Sequence, residues 1–196
     1  MFTGIIREIG TIVRKEEKRG VVELAIEAPK TASGAVPMES IAVNGVCLTA
    51  IDLTDERFSV EVIPETIRLT GLSRLKAGSR VNVEPSLLLT DRLNGHLVFG
   101  HVDGIGRVAR RAPHKGQLVL DIAFESRLRP WLVPKGPIAL DGVSLTLGDK
   151  IGVARFSVYL IPETLRRTTL GDLKPADPIN LELDYFAKLA RQWAKK

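Results

Sequence analysis

A chain of 196 residues with 44% apolar and 26% charged residues has the composition of a folded globular protein, which excludes a disordered or fibrous polymer. The net charge of +5 is dispersed: Arg14-Lys15 is followed by Glu16-Glu17, Arg166-Arg167 follow Glu163, and only 5% of residues are aromatic, so no stacking surface for nucleic acid is expected. A lone cysteine, Cys47, excludes an internal disulfide framework, and neither a signal-peptide core nor a bilayer-length apolar run is present; the chain is expected in the cytoplasm, away from membranes.

In chain order, Val21–Glu27 alternates apolar and polar side chains, as a half-buried strand does. Asn44-Gly45 separates two apolar stretches, and both residues tolerate positive φ, so a tight hairpin is expected there. Phe58–Val62 alternates again and runs into Ile63-Pro64-Glu65-Thr66. That proline suits the first turn of a helix and the glutamate its positive end, so a short helix should follow and stop near Gly71.

From there the chain is written a second time. Ser40–Thr49 returns as Pro137–Thr146, Phe58–Arg68 as Phe156–Arg166, and Val81–Glu84 as Ile179–Glu182, all at an offset of about 97 residues. The opening also repeats, with Gly4-Ile5-Ile6 over Gly100-His101-Val102. The expected fold is all-β: two similar six-stranded antiparallel Greek-key barrels over residues 1–93 and 94–184, with short helices and a C-terminal helix over 185–196. Closure suits such short strands because it removes exposed edges. The last stretch places Phe186, Leu189, Ala190 and Trp193 on one helical face, which must be covered either by its own barrel or by sister subunits.

Gly104-Ile105-Gly106 imitates a dinucleotide-binding loop, but its counterpart in the first copy, Ile9–Ile12, reads as a strand. His96, His101 and His114 lack metal-ligand spacing with acidic partners, so no metal is expected. The informative positions are those where the copies disagree: Cys47 against Ser144 and Ile5 against His101. Ser144 and Thr146 share one face of their strand, and Cys47 and Thr49 do the same in theirs. On these residues alone, structural hydroxyls and a core cysteine are the more usual readings, and the chain is a duplicated barrel with two related small-ligand pockets.

Met1–Ile5, Asn44–Thr49, Gly95-His96-Leu97, Gly100–Gly104, Lys135-Gly136, Leu140–Thr146 and Ile161–Leu165, in that order, resemble the riboflavin synthase family over essentially the whole chain. The resemblance implies dismutation of two molecules of 6,7-dimethyl-8-ribityllumazine to riboflavin and 5-amino-6-(D-ribitylamino)uracil by transfer of a four-carbon unit, with no cofactor. It implies a homotrimer held by the C-terminal helices, with lumazine synthase as a further associate. It places Ser40, Cys47, Leu48, Thr49, Glu61, Val62, Ile63, Pro64, Glu65, Thr66, Gly100, His101 and Val102 in a first pocket. The second would hold Gly4, Ile5, Ile6, Lys135, Ser144, Leu145, Thr146, Tyr159, Leu160, Ile161, Pro162, Glu163 and Thr164. Ser144, His101, Cys47 and Thr146 would carry the chemistry. Antenna-type proteins of the same duplicated fold, which bind lumazine or flavin without turnover, are the alternative; retention of His101, Lys135, Ser144 and Thr146 favours the enzyme.

Overall fold

The computed structural model describes residues 1–18 and 20–194. The first barrel consists of β1 (Glu8–Lys18), β2 (Val21–Glu27), β3 (Ser40–Val43), β4 (Val46–Leu53), β5 (Arg57–Val62) and β6 (Arg80–Pro85), closed in the order β1-β2-β5-β4-β3-β6. The second consists of β7 (Gly104–His114), β8 (Gln117–Ala123), β9 (Pro137–Leu140), β10 (Val143–Ile151), β11 (Arg155–Leu160) and β12 (Pro178–Leu183), closed in the same cyclic order. All pairings are antiparallel, so the expected pair of six-stranded barrels is borne out.

The period-two pattern fills each barrel from within. Leu24, Ile26, Phe58, Val60 and Val62 are fully buried in the first core, and Leu120, Ile122, Phe156, Val158 and Leu160 are buried in the second. Among the described residues, four short α-helices decorate the barrels: α1 (Pro29–Ala32), α2 (Pro64–Leu69), α3 (Pro162–Arg167) and α4 (Tyr185–Trp193). As expected, α2 and α3 each begin at their proline with a glutamate in the first turn. The single turn α1 and a 3-10 stretch at Ser126–Trp131 carry no clear sequence signal, because neither has an amphipathic period. The C-terminal helix starts on Asp184, whose carboxylate accepts from the amides of Phe186 and Ala187; Lys195 and Lys196 lie outside the described residues. Among the described residues no helix is long and apolar enough to cross a membrane.

The two barrels meet about a local pseudo-twofold at the paired hairpins. Asn44 and Gly45, like Asp141 and Gly142, all have positive φ, the signature of a two-residue hairpin turn. A Cβ on Gly45 would stand 2.5 Å from the amide nitrogen of Gly142, so only glycine lets these turns touch. Around them, the Asn82 side chain donates to the Asp141 carbonyl at 2.9 Å and accepts from Thr169, while Asn180 donates to the Asn44 carbonyl at 2.8 Å and accepts from Gly71. Each barrel thus satisfies buried polar groups of the other.

Candidate functional site

The segment ahead of each barrel is anchored at home and docks abroad. Glu84, on β6, accepts from the amides of Thr3 and Gly4 at 2.7 and 3.0 Å, and Glu182, on β12, accepts from Phe99 and Gly100 at the same two distances. Burial pushes both carboxyls above the usual carboxylate range, and these amide bonds pull them part of the way back. Beyond the anchors the chain crosses over. The Gly4 carbonyl accepts from Ser144 of the second barrel at 2.8 Å, and the Gly100 carbonyl accepts from Cys47 of the first at 2.9 Å. Phe2 and Val98 pair between them as an antiparallel bridge. A Cβ on Gly4 would sit 2.6 Å from that of Ser144, and one on Gly100 would sit 2.5 Å from that of Cys47, so glycine is what permits both crossings.

The exchange brings Ile5 and Ile6 to the second barrel. There Gly4, Ile5, Ile6, Ser144, Ile161, Glu163 and Thr164, all expected in one pocket, surround a cavity of about 160 Å³ together with Val143, Arg167 and Thr168. Its lining combines apolar side chains with the hydroxyls of Ser144, Thr164 and Thr168, a carboxylate and a guanidinium. Glu163 is ion-paired with Arg166 and Arg167, and the hydrogen bond from Arg167 holds its carboxyl below the usual range. Such a site suits a ring with polar edges, in the general pattern of small-molecule pockets.

The other expected members fall elsewhere around this surface. Leu160 points into the second core and Leu145 packs against it. Thr146, Tyr159 and Pro162 are exposed, and Lys135 lies on an exposed turn with Nζ 3.4 Å from Asp149. In the first barrel, strand alternation turns Cys47 and Thr49 outward on β4, with Ser40 opposite Thr49, and sends Leu48 and Val62 into the core. Glu61, Ile63, Pro64 and Glu65 are exposed, Thr66 is half-buried, and Val102 packs on that core. His101 arrives on the segment docked to Cys47 on the first barrel, whereas Ser144 lies on the second.

His96 and Arg167 were not among the expected site residues. Arg167 left a trace, since its partner in the first copy is Leu69. His96 stands in the Gly95-His96-Leu97 motif of the resemblance but has no counterpart in the first copy, because it lies in the connection ahead of the second. Its Nδ1 stands 2.7 Å from Ser144 Oγ, and burial holds its ring below the ordinary histidine range against the opposing influence of Asp184.

The lumazine binding domain family matches the chain twice, over residues 3–86 and 99–184, in register with the duplication. The riboflavin synthase of Mycobacterium bovis is 41% identical over 191 residues, covering 96% of this chain and 95% of that protein. The riboflavin synthases of Bacillus subtilis and Escherichia coli are 36% and 37% identical, over 100% and 94% of this chain and 91% and 87% of theirs. Among solved structures, LumP complexed with 6,7-dimethyl-8-(1'-D-ribityl) lumazine superposes with a TM-score of 0.83 over 94% of this chain and 99% of that one, at 22% identity, which speaks to the fold. Matched over nearly its whole length by these enzymes and twice by the domain family, the chain belongs to the riboflavin synthase family.

Proposed function

We propose that the chain catalyses the dismutation of two 6,7-dimethyl-8-ribityllumazine molecules to riboflavin and 5-amino-6-(D-ribitylamino)uracil. The supporting observation is the exchange of leading segments between duplicated barrels. Donor and acceptor are the same compound, so two homologous sites can bind them alike, and the mismatches Ile5 against His101, Cys47 against Ser144 and Leu69 against Arg167 make the sites unequal. The substrate supplies its own electron sink, because the anion of its 7-methyl group delocalises into the ring. What remains for the protein is to hold two rings in register, an effect worth up to roughly 7–11 kcal/mol, and to move protons. Ser144 and His101 are assigned the proton transfers, with Cys47, Thr49 and Thr146 as polar contacts around the rings.

The reading includes a trimer, in which the first barrel of one subunit faces the second barrel of the next. Tyr185, Phe186 and Trp193 of α4 are 42%, 59% and 70% exposed in the single chain, in keeping with a helix that packs on sister copies. The test is to incubate the purified protein with the lumazine alone. Riboflavin absorbance should grow in, with one riboflavin formed for every two lumazines consumed. Binding without turnover would move the chain to the antenna class.

A further inference from the structure

Ser144 is one of the hydroxyl residues of the second pocket, and the fold surrounds it closely. Its amide is held by Gly4, and on its other side Gly95 approaches so tightly that a Cβ there would lie 2.0 Å from the Thr3 carbonyl and 3.0 Å from Ser144 Oγ. The next residue, His96, donates its amide to that same Thr3 carbonyl at 3.1 Å, which lays the imidazole beside the serine with Nδ1 2.7 Å from Oγ. The contact is therefore built by backbone pairing and does not depend on a flexible side chain swinging into place.

We propose that His96 is the positioning residue of Ser144: its neutral ring accepts the Ser144 O–H at Nδ1, carries its own proton on Nε2, and turns the oxygen's lone pairs toward the cavity. This deepens the riboflavin synthase reading and rests on it. When a methyl C–H of the lumazine in the second pocket breaks, its proton goes to Ser144 Oγ as the serine's own proton passes to Nδ1. The products are a ring-delocalised carbanion and an imidazolium, so charge is conserved, and the reverse transfer restores both groups. Burial favours the neutral ring that this arrangement requires. No described residue stands in the same relation to Cys47, since His96 belongs to the connection between the copies. The pair therefore makes the second pocket the one where the proton is removed.

Two measurements test it on the full-length protein. The first is ¹⁵N NMR of the imidazoles at neutral pH, with His96 assigned through its substitution. Nδ1 of His96 should resonate as the unprotonated nitrogen, and Ser144→Ala should shift it toward a tautomer mixture. A protonated Nδ1, or no response to Ser144→Ala, would overturn the proposal, and this readout needs no turnover. The second is kinetic. His96→Asn puts an amide near the Nδ1 position and keeps a hydrogen bond but cannot take up a proton, so kcat should fall about 10²-fold with KM within threefold. Adding Ser144→Ala should cost little more than either change alone. Wild-type kcat in His96→Asn, or losses that multiply in the double variant, would refute it. If the unsubstituted protein makes no riboflavin, the family activity fails separately and the NMR result still decides the pair.

Discussion

At the scale of single residues, the most telling difference between the copies at the pseudo-twofold is Asn44 against Asp141. Asn44 Oδ1 accepts from the Asn82 amide at 2.7 Å and Asp141 Oδ1 from the Asn180 amide at 2.8 Å, so the two side chains do the same structural work. Asp141 is a carboxyl in a buried turn, and desolvation raises its pKa from 3.8 to about 7, the amide of Asn180 offsetting part of the effect. Below about pH 3, folded and unfolded chains both hold the proton and the group is neutral in stability. As pH rises from about 3 to about 7 the unfolded chain releases it while the folded chain keeps it, so stability falls. Above about 7 the whole penalty, on the order of 4 kcal/mol, remains. Asp141→Asn should therefore raise the melting temperature at pH 8 and leave it unchanged below about pH 3. A pH-independent difference would show that the carboxyl's charge has no part in it.

At the scale of elements, the exchanged segments depend on Glu84 and Glu182. Glu84→Gln leaves one acceptor oxygen where two served the amides of Thr3 and Gly4, and places an amide hydrogen against a buried donor. An unsatisfied buried group costs about 1–3 kcal/mol. The substitution should lower stability by about that much, speed hydrogen exchange at Thr3 and Gly4, and weaken lumazine binding at the second pocket. Unchanged exchange at those two amides would show that the segment is held by something else. The elements themselves were legible where chemistry is local: Asn44-Gly45 and Asp141-Gly142 as hairpins through positive φ, Pro64 and Pro162 as helix starts, and Val21–Glu27 as a strand through alternation. The expected pocket residues came from the family resemblance, and the repeat singled out where the copies differ by putting Ile5 opposite His101 and Cys47 opposite Ser144. What stayed hidden has a physical reason in each case. Leu160 and Val62 sit in pocket-forming stretches, but strand alternation turns them inward. His96 has no counterpart or period, and only the pairing of Thr3 with its backbone brings it to Ser144.

At the scale of the whole molecule, the C-terminal helix is docked by its polar side. Lys188 Nζ lies 3.0 and 2.9 Å from the two carboxylate oxygens of Asp103, the Arg191 guanidinium lies over the Trp131 ring at 5.6 Å, and Tyr185 packs at a tilt against Phe99, ring centres 4.8 Å apart, and Phe99 in turn neighbours His101. Leu189 is half-buried, but Phe186 and Trp193 at the two ends of the expected apolar face remain in solvent. In the proposed trimer, covering them with a sister copy would remove apolar surface from water at about 25 cal/mol per Å² and would set α4, and through Asp103 and Phe99 the His101 segment, against a neighbour. Since one chain keeps His101 and Ser144 on different barrels, the proposed trimer predicts that assembly and turnover are lost together. The expected result in sedimentation is a species of three times the 21.5 kDa chain mass. Phe186→Ser with Trp193→Ser should reduce it to the single chain, with the thermal transition little changed, lumazine binding retained and riboflavin formation abolished. A wild-type protein sedimenting at the mass of one chain, or a dissociated variant that still turns over, would mean that each chain completes its own site.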